Sequence, residues 1–128
     1  IIKNWIFNWK IIMKFKLFLK NTHLDILEEL AKNYDIHNKE ELIKKCIETA
    51  LKLNDNDLIF DNVREQCITC FSSEPRFELE INDIDYNNLK KIFKYYDFNS
   101  YDTEEEEVSK TIRCIINFFD EEPDLVPT

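Results

Sequence analysis

The sequence contains no glycine among its 128 residues, and this absence restricts the available folds more than any other feature. Glycine provides the backbone geometry of phosphate-binding loops, dinucleotide-binding turns and the turn that carries the nucleophile of many hydrolases. Tight hairpins of the primed types are disfavoured for the same reason. Because 44% of the residues are apolar, the chain can still form a hydrophobic core. We therefore predict a mainly helical domain with few sharp turns.

Residues 1–13 carry apolar side chains at helical spacing and are predicted to form an N-terminal amphipathic extension. Lysines interrupt the apolar run from Lys3 to Lys20, so we expect neither a signal peptide nor stable insertion into a membrane. We expect a helix that packs on the protein's own core, with docking on a membrane surface or a partner as the alternative. Met13 is the only methionine and is interpreted as a native start, with residues 1–12 as an upstream extension.

Residues 14–53 combine two hydrophobic periods in one unit. Phe15, Leu17 and Leu19 alternate with Lys14, Lys16, Phe18 and Lys20, which predicts a half-buried strand with a basic outer face. A helix capped by Asn21 or Thr22 is expected next. After a polar break, Asn38 is expected to cap a second helix.

Residues 76–119 repeat this strand–helix–helix pattern. An alternating segment at 76–81 precedes a helix with Ile84 on its inward face and, after a second polar break, a helix from about 103 to 119. An offset of 62 aligns Phe15 with Phe77, Leu17 with Leu79, Leu19 with Ile81, Leu27 with Leu89 and Leu30 with Ile92. After a four-residue insertion the second helices align as well. We interpret the two units as a diverged internal duplication, with chance similarity of two helical hairpins as the alternative.

Two segments lie outside these units. Residues 54–75 are predicted as a helical linker, with a helix from about Leu58 to Phe71 that ends before Pro75. This linker is long enough to bring the second strand back beside the first. Residues 120–128 form an acidic tail.

The first unit resembles a ribbon-helix-helix domain. The resemblance rests on Phe15-Lys16-Leu17-Phe18-Leu19 in the strand, Leu27-Glu28-Glu29-Leu30-Ala31 in the first helix, and Glu40-Glu41-Leu42-Ile43 with Ala50 in the second. Residues 76–119 resemble the family more loosely. The family normally has glycine between its two helices, where Asp35 and Asp97 stand here. The resemblance implies a mainly α fold with a short two-stranded antiparallel ribbon, formed by a tandem ribbon-helix-helix-like pseudo-dimer.

The resemblance also implies a DNA-binding transcriptional regulator. In that family the paired strands enter the major groove, the outward strand side chains read bases, and the N-terminus of the second helix holds a phosphate. By position, the DNA-binding residues would be Lys14, Lys16, Phe18, Lys20, His37 and Asn38. The corresponding reader positions of the second unit are Arg76, Glu78 and Glu80, with Asn99 and Ser100 near its phosphate position. Phe18 is expected to contact a thymine methyl, to anchor a protein partner or to be covered by residues 1–12.

The charge distribution supports a second hypothesis. Residues 1–53 carry ten Lys and seven acidic residues, whereas residues 54–128 carry seven basic and nineteen acidic ones. Because DNA affinity depends on phosphate neutralisation, acidic groups beside the basic strand oppose DNA binding. The alternative is an acidic protein-interaction module, or a nucleic-acid mimic, that docks on a basic nucleic-acid-binding protein. Its partner-binding residues would be Glu78, Glu80, Glu104, Glu105, Glu106 and Glu107. A homodimer through the first unit would instead pair two copies of the basic strand.

Enzymatic chemistry finds little support in the sequence. Cys67 and Cys70 have metal-ligand spacing, but the other cysteines and the two histidines form no second compact pair. We therefore expect no metal, no cofactor and no enzymatic activity, with reduced cysteines in a cytoplasmic protein. The runs of Asp and Glu are interpreted as solvent-exposed charged residues, not as paired catalytic acids.

Overall fold

The computed structural model describes residues 11–60, 73–96, 98, 101–125 and 127. Within these residues two strands form one antiparallel sheet: β1 (Ile12–Leu19) and β2 (Glu74–Asn82). The described helices are α1 (Asn21–Tyr34), α2 (Lys39–Leu53), α3 (Asn56–Phe60), α4 (Asp83–Tyr95) and α5 (Glu104–Glu121). The prediction of a mainly helical fold with a two-stranded antiparallel ribbon is confirmed.

Both strands of the ribbon belong to the same chain, and each is followed by two long helices. Lys16 lies opposite Glu78, and the flanking pairs are Phe15 with Leu79, Leu17 with Phe77 and Lys14 with Glu80. A bulge between Leu17 and Phe18 then shifts the register, so that Phe18 lies opposite Pro75. The bulge accommodates the proline, which cannot donate a ladder hydrogen bond.

The hydrophobic core lies between one face of the ribbon and the helices. On β1 the side chains of Phe15, Leu17 and Leu19 are buried, while Lys14 and Lys16 are exposed. This alternation follows from the two-residue period of a strand that has one face on the core. The ribbon therefore presents a second, solvated face on which the predicted reader side chains lie.

Helix α5 is the central helix of the core. Every residue from Val108 to Ile116 is buried, and the helix contacts β1 and all four other described helices. Helices that are buried on all sides are normally apolar throughout. Among the buried residues of α5, however, are Ser109, Lys110, Thr111 and Arg113. These polar side chains need partners inside the protein.

Asp35 and Asn54 perform the task that glycine performs at the ends of many helices. Asp35 follows α1 with a φ of 55°, and Asn54 follows α2 with a φ of 52°. Asp and Asn tolerate this left-handed conformation better than most residues with a side chain. The chain therefore ends two helices without glycine. The corresponding Asp97 lies outside the described residues.

The start of α1 differs from the sequence prediction. The N-cap of α1 is Lys20, not Asn21 or Thr22. The Lys20 backbone N–H donates to Nδ1 of His23 over 3.1 Å, so the imidazole takes a role that Glu or Gln usually has in a capping box. At α2 the prediction is confirmed, because the Asn38 side chain accepts from the Glu41 backbone N–H over 3.0 Å.

The strands are longer than predicted. Ile12 and Met13 belong to β1 rather than to an N-terminal helix, because they pair with Asn82 and Ile81 of β2. Likewise β2 begins at Glu74, so two residues assigned to the linker lie in the sheet. Residues 1–10, 61–72 and 99–100 lie outside the described part of the chain. Predictions for the rest of the extension, most of the linker helix, Cys67 and Cys70 therefore lie outside it.

Ile84 is exposed, although its spacing predicts an inward position. The buried side of α4 is formed by Tyr86, Leu89, Ile92 and Phe93. Because α4 begins directly after β2, Ile84 lies in its first turn, on the solvent side of this face.

Candidate nucleic-acid interface

The solvated face of the ribbon carries side chains of both charges. Lys14 and Lys16 of β1 are exposed, as are Glu78 and Glu80 of β2. The Lys14 ammonium lies 3.0 Å from Oε1 of Glu78. The hydrogen bond to Glu78 and the charges of Glu78 and Glu80 raise the pKa of Lys14 above its usual value. The basic strand therefore has acidic neighbours within its own chain.

Arg76 extends this face at the bulged end of the ribbon. Its Nη2 donates to Oδ1 of Asn21 over 2.9 Å and lies 3.4 Å from the Glu74 carboxylate. Its Nε donates to the Leu19 carbonyl over 3.5 Å. Arg76 thus joins the end of the ribbon to the start of α1. Beside it, Phe18 is half-buried by the described residues.

The outer edge of β1 is covered by α5. The Lys16 backbone N–H donates to Oε2 of Glu105 over 2.7 Å, and the Phe18 backbone N–H donates to Oγ of Ser109 over 2.9 Å. The Phe18 carbonyl accepts from Nη1 of Arg113 over 2.7 Å. Glu105, Ser109 and Arg113 are four residues apart, so they form one stripe along the helix. This stripe satisfies main-chain groups that an edge strand would otherwise expose.

Arg113 is buried at the end of this stripe, with 1% of its surface exposed. Its Nη2 donates to the Tyr101 hydroxyl over 3.3 Å, and Nη1 also reaches Oγ of Ser73 at 3.5 Å. Burial lowers the pKa of the guanidinium from its usual value. Neither Ser109 nor Arg113 was predicted from the sequence as a site residue. Their four-residue spacing from Glu105, among the apolar residues of α5, was the available signal.

The predicted phosphate position lies close to acidic groups. Asn38, at the start of α2, lines a cavity of about 230 Å³ together with Glu41, Glu78 and Glu80. The Asn38 side chain already caps α2. His37 is exposed, and its Nε2 lies 3.5 Å from the Asp35 carboxylate. The structure thus brings Asn38 near the ribbon, but in acidic surroundings.

The predicted partner-binding carboxylates at the start of α5 have roles inside the protein. Glu104 accepts from the Tyr86 hydroxyl over 2.7 Å and lies 3.0 Å from the Lys90 ammonium, and these hydrogen bonds lower the pKa of its carboxyl group. Glu105 accepts from β1, as described above. Glu106 accepts from the Thr103 hydroxyl over 3.1 Å, and Glu107 is half-buried. This cluster is therefore not a set of free surface charges.

A larger cavity, of about 500 Å³, lies between the junction of α2 with α3 and the end of α4. It is lined by Asn54, Asp55, Asn56, Asp57, Lys91, Ile92, Tyr95 and Tyr96. The Tyr96 hydroxyl donates to Oδ1 of Asp57. None of the predicted site residues lines this cavity.

Metal binding and thiol chemistry depend on the histidines, cysteines and acidic residues that the structure describes. No three His, Cys, Asp or Glu side chains there are arranged to hold a metal ion. Cys46 and Cys114 are buried, and burial raises the pKa of the Cys46 thiol to about 12. Across the same residues, no helix is both long and apolar enough to cross a bilayer.

Comparison with known proteins adds no family assignment. No protein-family model matches this chain, and no solved structure matches it significantly.

Proposed function

We propose that this chain is a DNA-binding regulator of the ribbon-helix-helix type, in which two halves of one chain form a pseudo-dimer and present a single ribbon to DNA. Lys14, Lys16 and Phe18 would make the principal contacts. Lys20, the N-cap of α1, would lie near the backbone of the same DNA.

The observation that carries this proposal is the register of the ribbon. The sequence offset of 62 relates Phe15 to Phe77 and Leu17 to Leu79. In the ribbon, Phe15 lies opposite Leu79 and Leu17 lies opposite Phe77. Replacing each β1 residue by its equivalent in β2, and each β2 residue by its equivalent in β1, converts the Phe15–Leu79 pair into the Leu17–Phe77 pair. The Lys16–Glu78 pair lies between them and is converted into itself. Ribbons of two identical chains have this symmetry, and chance pairing of unrelated strands has no reason to share it.

The direction of the side chains supports a role for the solvated face. The alternate residues Phe15, Leu17 and Leu79 hold the ribbon on the core, so the intervening side chains lie on the opposite face. A two-stranded ribbon is narrow enough to enter the major groove. Lysines can bind guanine, and Glu can accept from the amino group of cytosine.

Glu78 and Glu80 are expected to weaken binding to any duplex. They neutralise part of the charge that Lys14 and Lys16 offer to phosphates. We therefore expect modest affinity for non-specific DNA and a shallow dependence on salt. The proposed regulator would depend on base contacts more than on phosphate contacts.

A titration of labelled mixed-sequence duplex DNA, followed by fluorescence anisotropy between about 50 and 200 mM salt, tests the proposal. Wild-type protein should bind at the lowest salt and weaken as salt rises. Lys14→Ala/Lys16→Ala should lose measurable binding. Glu78→Gln/Glu80→Gln should bind more tightly, because the lysines would then face no carboxylates.

The matched control is Lys32→Ala/Lys52→Ala, which removes the same charge from exposed positions of α1 and α2. It should bind as the wild type does. If this control lost binding as completely as the ribbon variant, the effect would be one of net charge and the ribbon would not be the interface. Absence of binding by both the wild type and the Glu78→Gln/Glu80→Gln variant at low salt would overturn the proposal.

The second candidate is the acidic protein-interaction module. The observation that favours it is the clustering of Glu40 and Glu41 beside Glu78 and Glu80, where a phosphate would have to approach. Such a surface attracts basic proteins rather than DNA. Failure of DNA binding in the titration, together with capture of a defined basic nucleic-acid-binding protein, would favour this function.

A further inference from the structure

The two outer edges of the ribbon differ. On β1, Lys16 donates its backbone N–H to α5, so this N–H is directed away from β2. In an antiparallel ladder, opposite residues share the same bonding pattern. The main-chain groups of Glu78, opposite Lys16, are therefore directed away from β1, and those of Glu80, opposite Lys14, are too. Within the described residues, no hydrogen bond reaches the main chain of Glu78 or Glu80 from outside the ribbon.

Helix α2 cannot close this edge as α5 closes the other. The alignment that places Glu41 against Glu107 relates Glu105, Ser109 and Arg113 to Lys39, Ile43 and Ile47. Ile43 and Ile47 are fully buried in the core. Neither has a polar atom that could bind a strand edge. The open edge of β2 is thus a consequence of which residues α2 carries.

A groove runs beside the open edge. The cavity of about 230 Å³ near Asn38 and a second one of about 170 Å³ share Lys44 as a lining residue. Together they follow β2 from Glu78 to Asn82, and Leu79 and Ile81 contribute to their walls. The carboxylates that line this groove are Glu40, Glu41, Glu48, Glu78, Glu80 and Asp85. Six acidic side chains and one lysine line the groove. Although Glu78 pairs with Lys14 and Glu41 with Lys45, the lining has a net negative charge.

We propose that an extended, Lys- or Arg-rich segment of a partner protein adds to β2 as a third strand. Strand addition would supply main-chain hydrogen bonds to Glu78 and Glu80, and the acidic groove would select basic side chains. The main-chain edge of β2 is distinct from the ribbon face that carries Lys14 and Lys16, although the Glu78 and Glu80 side chains contribute to both. The inference concerns this edge and does not require that the ribbon binds DNA.

A second copy of this chain fits the edge less well. Pairing β2 with another β2 would place glutamates of one strand near glutamates of the other, and like charges across strands are destabilising. Pairing β2 with β1 of another copy is blocked, because α5 occupies the β1 edge. The occupant that the charges favour is a basic segment of a different protein.

Amide hydrogen exchange followed by NMR tests the proposal on the intact chain. In the free protein the amides of Lys16 and Phe18 should exchange slowly, and those of Glu78 and Glu80 rapidly. A capped synthetic peptide of alternating Lys and Val should slow exchange at Glu78 and Glu80 by about tenfold or more. Methylation of alternate backbone nitrogens in the same peptide removes the N–H donors along one of its edges. When this edge faces β2, the peptide should leave exchange at Glu78 and Glu80 unchanged.

Three protein variants distinguish the contribution of the main-chain N–H from that of the acidic charge. Glu78→Gln should weaken peptide binding moderately, since it removes one carboxylate but keeps the N–H. Glu78→Pro removes the outward N–H, which makes no bond to β1, and should reduce peptide binding further. Because proline could disturb the strand, Glu41→Gln/Glu48→Gln provides a second charge variant outside the ribbon. It should also weaken binding.

Three results would overturn the proposal. The first is unchanged exchange at Glu78 and Glu80 when the peptide saturates a folded protein. The second is equal binding of an alternating Glu and Val peptide. The third is protection of these amides in the free protein that grows with protein concentration, which would place a second copy at the edge. The DNA titration measures binding through Lys14 and Lys16 and not hydrogen bonding at the main chain of β2, so failure there would not produce any of these results.

Discussion

His23 shows how much one buried side chain can contribute at the scale of single residues. It is 3% exposed, and its Nδ1 accepts the N-cap hydrogen bond of Lys20. Burial, followed by the nearby charges of Arg113, Lys20 and Lys110, lowers the pKa of His23 from 6.5 to about 4. The imidazole is therefore neutral in the folded protein at neutral pH, as an acceptor must be.

This lowered pKa predicts a loss of stability in mild acid. Between pH 6.5 and about 4 the unfolded chain binds a proton at His23 that the folded chain does not. The free energy of unfolding should therefore fall as pH decreases through this window, by up to about 3 kcal/mol. Urea unfolding at several pH values measures this slope.

His23→Gln is the control for the acid effect. It should be less stable than the wild type at pH 7, because the cap geometry changes, but its stability should vary less between pH 6.5 and 4. If both proteins showed the same slope, the titration would belong to other groups.

Ser109 makes a second prediction at this scale. Ser109→Ala leaves the Phe18 backbone N–H without its partner in a half-buried position. We expect a loss of about 1–3 kcal/mol in the free energy of unfolding. Thr111→Val, which removes a hydroxyl whose bond to the Leu89 carbonyl is long at 3.4 Å, should cost less. Chemical denaturation of both variants provides the comparison, and equal losses would contradict the importance of the edge contact.

The partners of such residues could not be predicted from the sequence. The pattern shows that Ser109 and Arg113 are polar residues between apolar residues of one helix. It does not show which group binds them, because that group lies on a strand more than ninety residues earlier in the chain. For Asn38, by contrast, the sequence was sufficient, since its partner is three residues away.

At the scale of elements, the two helices that end without glycine could be stabilised by a glycine at that position. Asp35 and Asn54 hold left-handed conformations that glycine adopts without steric cost. We expect Asp35→Gly to raise the free energy of unfolding by about 0.5–1 kcal/mol, and Asn54→Gly by less, because Asn tolerates this region well. Thermal or urea unfolding of each variant measures the change.

Alanine at the same two positions provides the opposite test. Asp35→Ala and Asn54→Ala should each lower stability by about 1 kcal/mol, because alanine has no side chain that eases a positive φ. A gain from alanine, or a loss from glycine, would show that side-chain contacts of Asp35 or Asn54 matter more than backbone conformation.

The sequence identified element types better than element limits. Except at the start of β1, the two-residue and 3.6-residue periods distinguished strands from helices in the described residues. The extra strand residues Ile12 and Met13 were missed because their extended conformation depends on pairing with β2. Pairing between distant segments leaves no local signal in either one.

At the scale of the whole molecule, a ribbon formed within one chain allows its two strands to be joined by a disulfide inside the monomer. Lys14 and Glu80 lie opposite each other at a position without ladder hydrogen bonds, where Cα atoms approach most closely. Lys14→Cys/Glu80→Cys should therefore form a disulfide within the monomer on mild oxidation. Non-reducing electrophoresis and peptide mapping would identify the bond.

Lys14→Cys/Lys32→Cys introduces the same number of thiols and is the control for this experiment. It should not form the intramolecular bond with comparable yield. If Lys14→Cys/Glu80→Cys gave mainly a disulfide-linked dimer, the ribbon would form between chains in solution, as in the homodimer alternative.

The candidate site was only partly visible in the sequence. Its strands, and the positions of Lys and Glu on the solvated face, follow from the two-residue hydrophobic period of each strand. The difference between the two edges does not, because it depends on how α5 packs against β1 in three dimensions. That packing also employs glutamates that the sequence alone presents as solvated charge.

One closed edge and one open edge determine the stoichiometry of any assembly that forms by strand addition to this ribbon. A ribbon of two identical chains has two identical edges, so a strand-adding partner finds two places and can link complexes into longer arrays. Here a single chain supplies both strands and closes one side itself. A partner strand added to β2 would thus give a complex of one to one composition, with a fixed direction and no route to a filament.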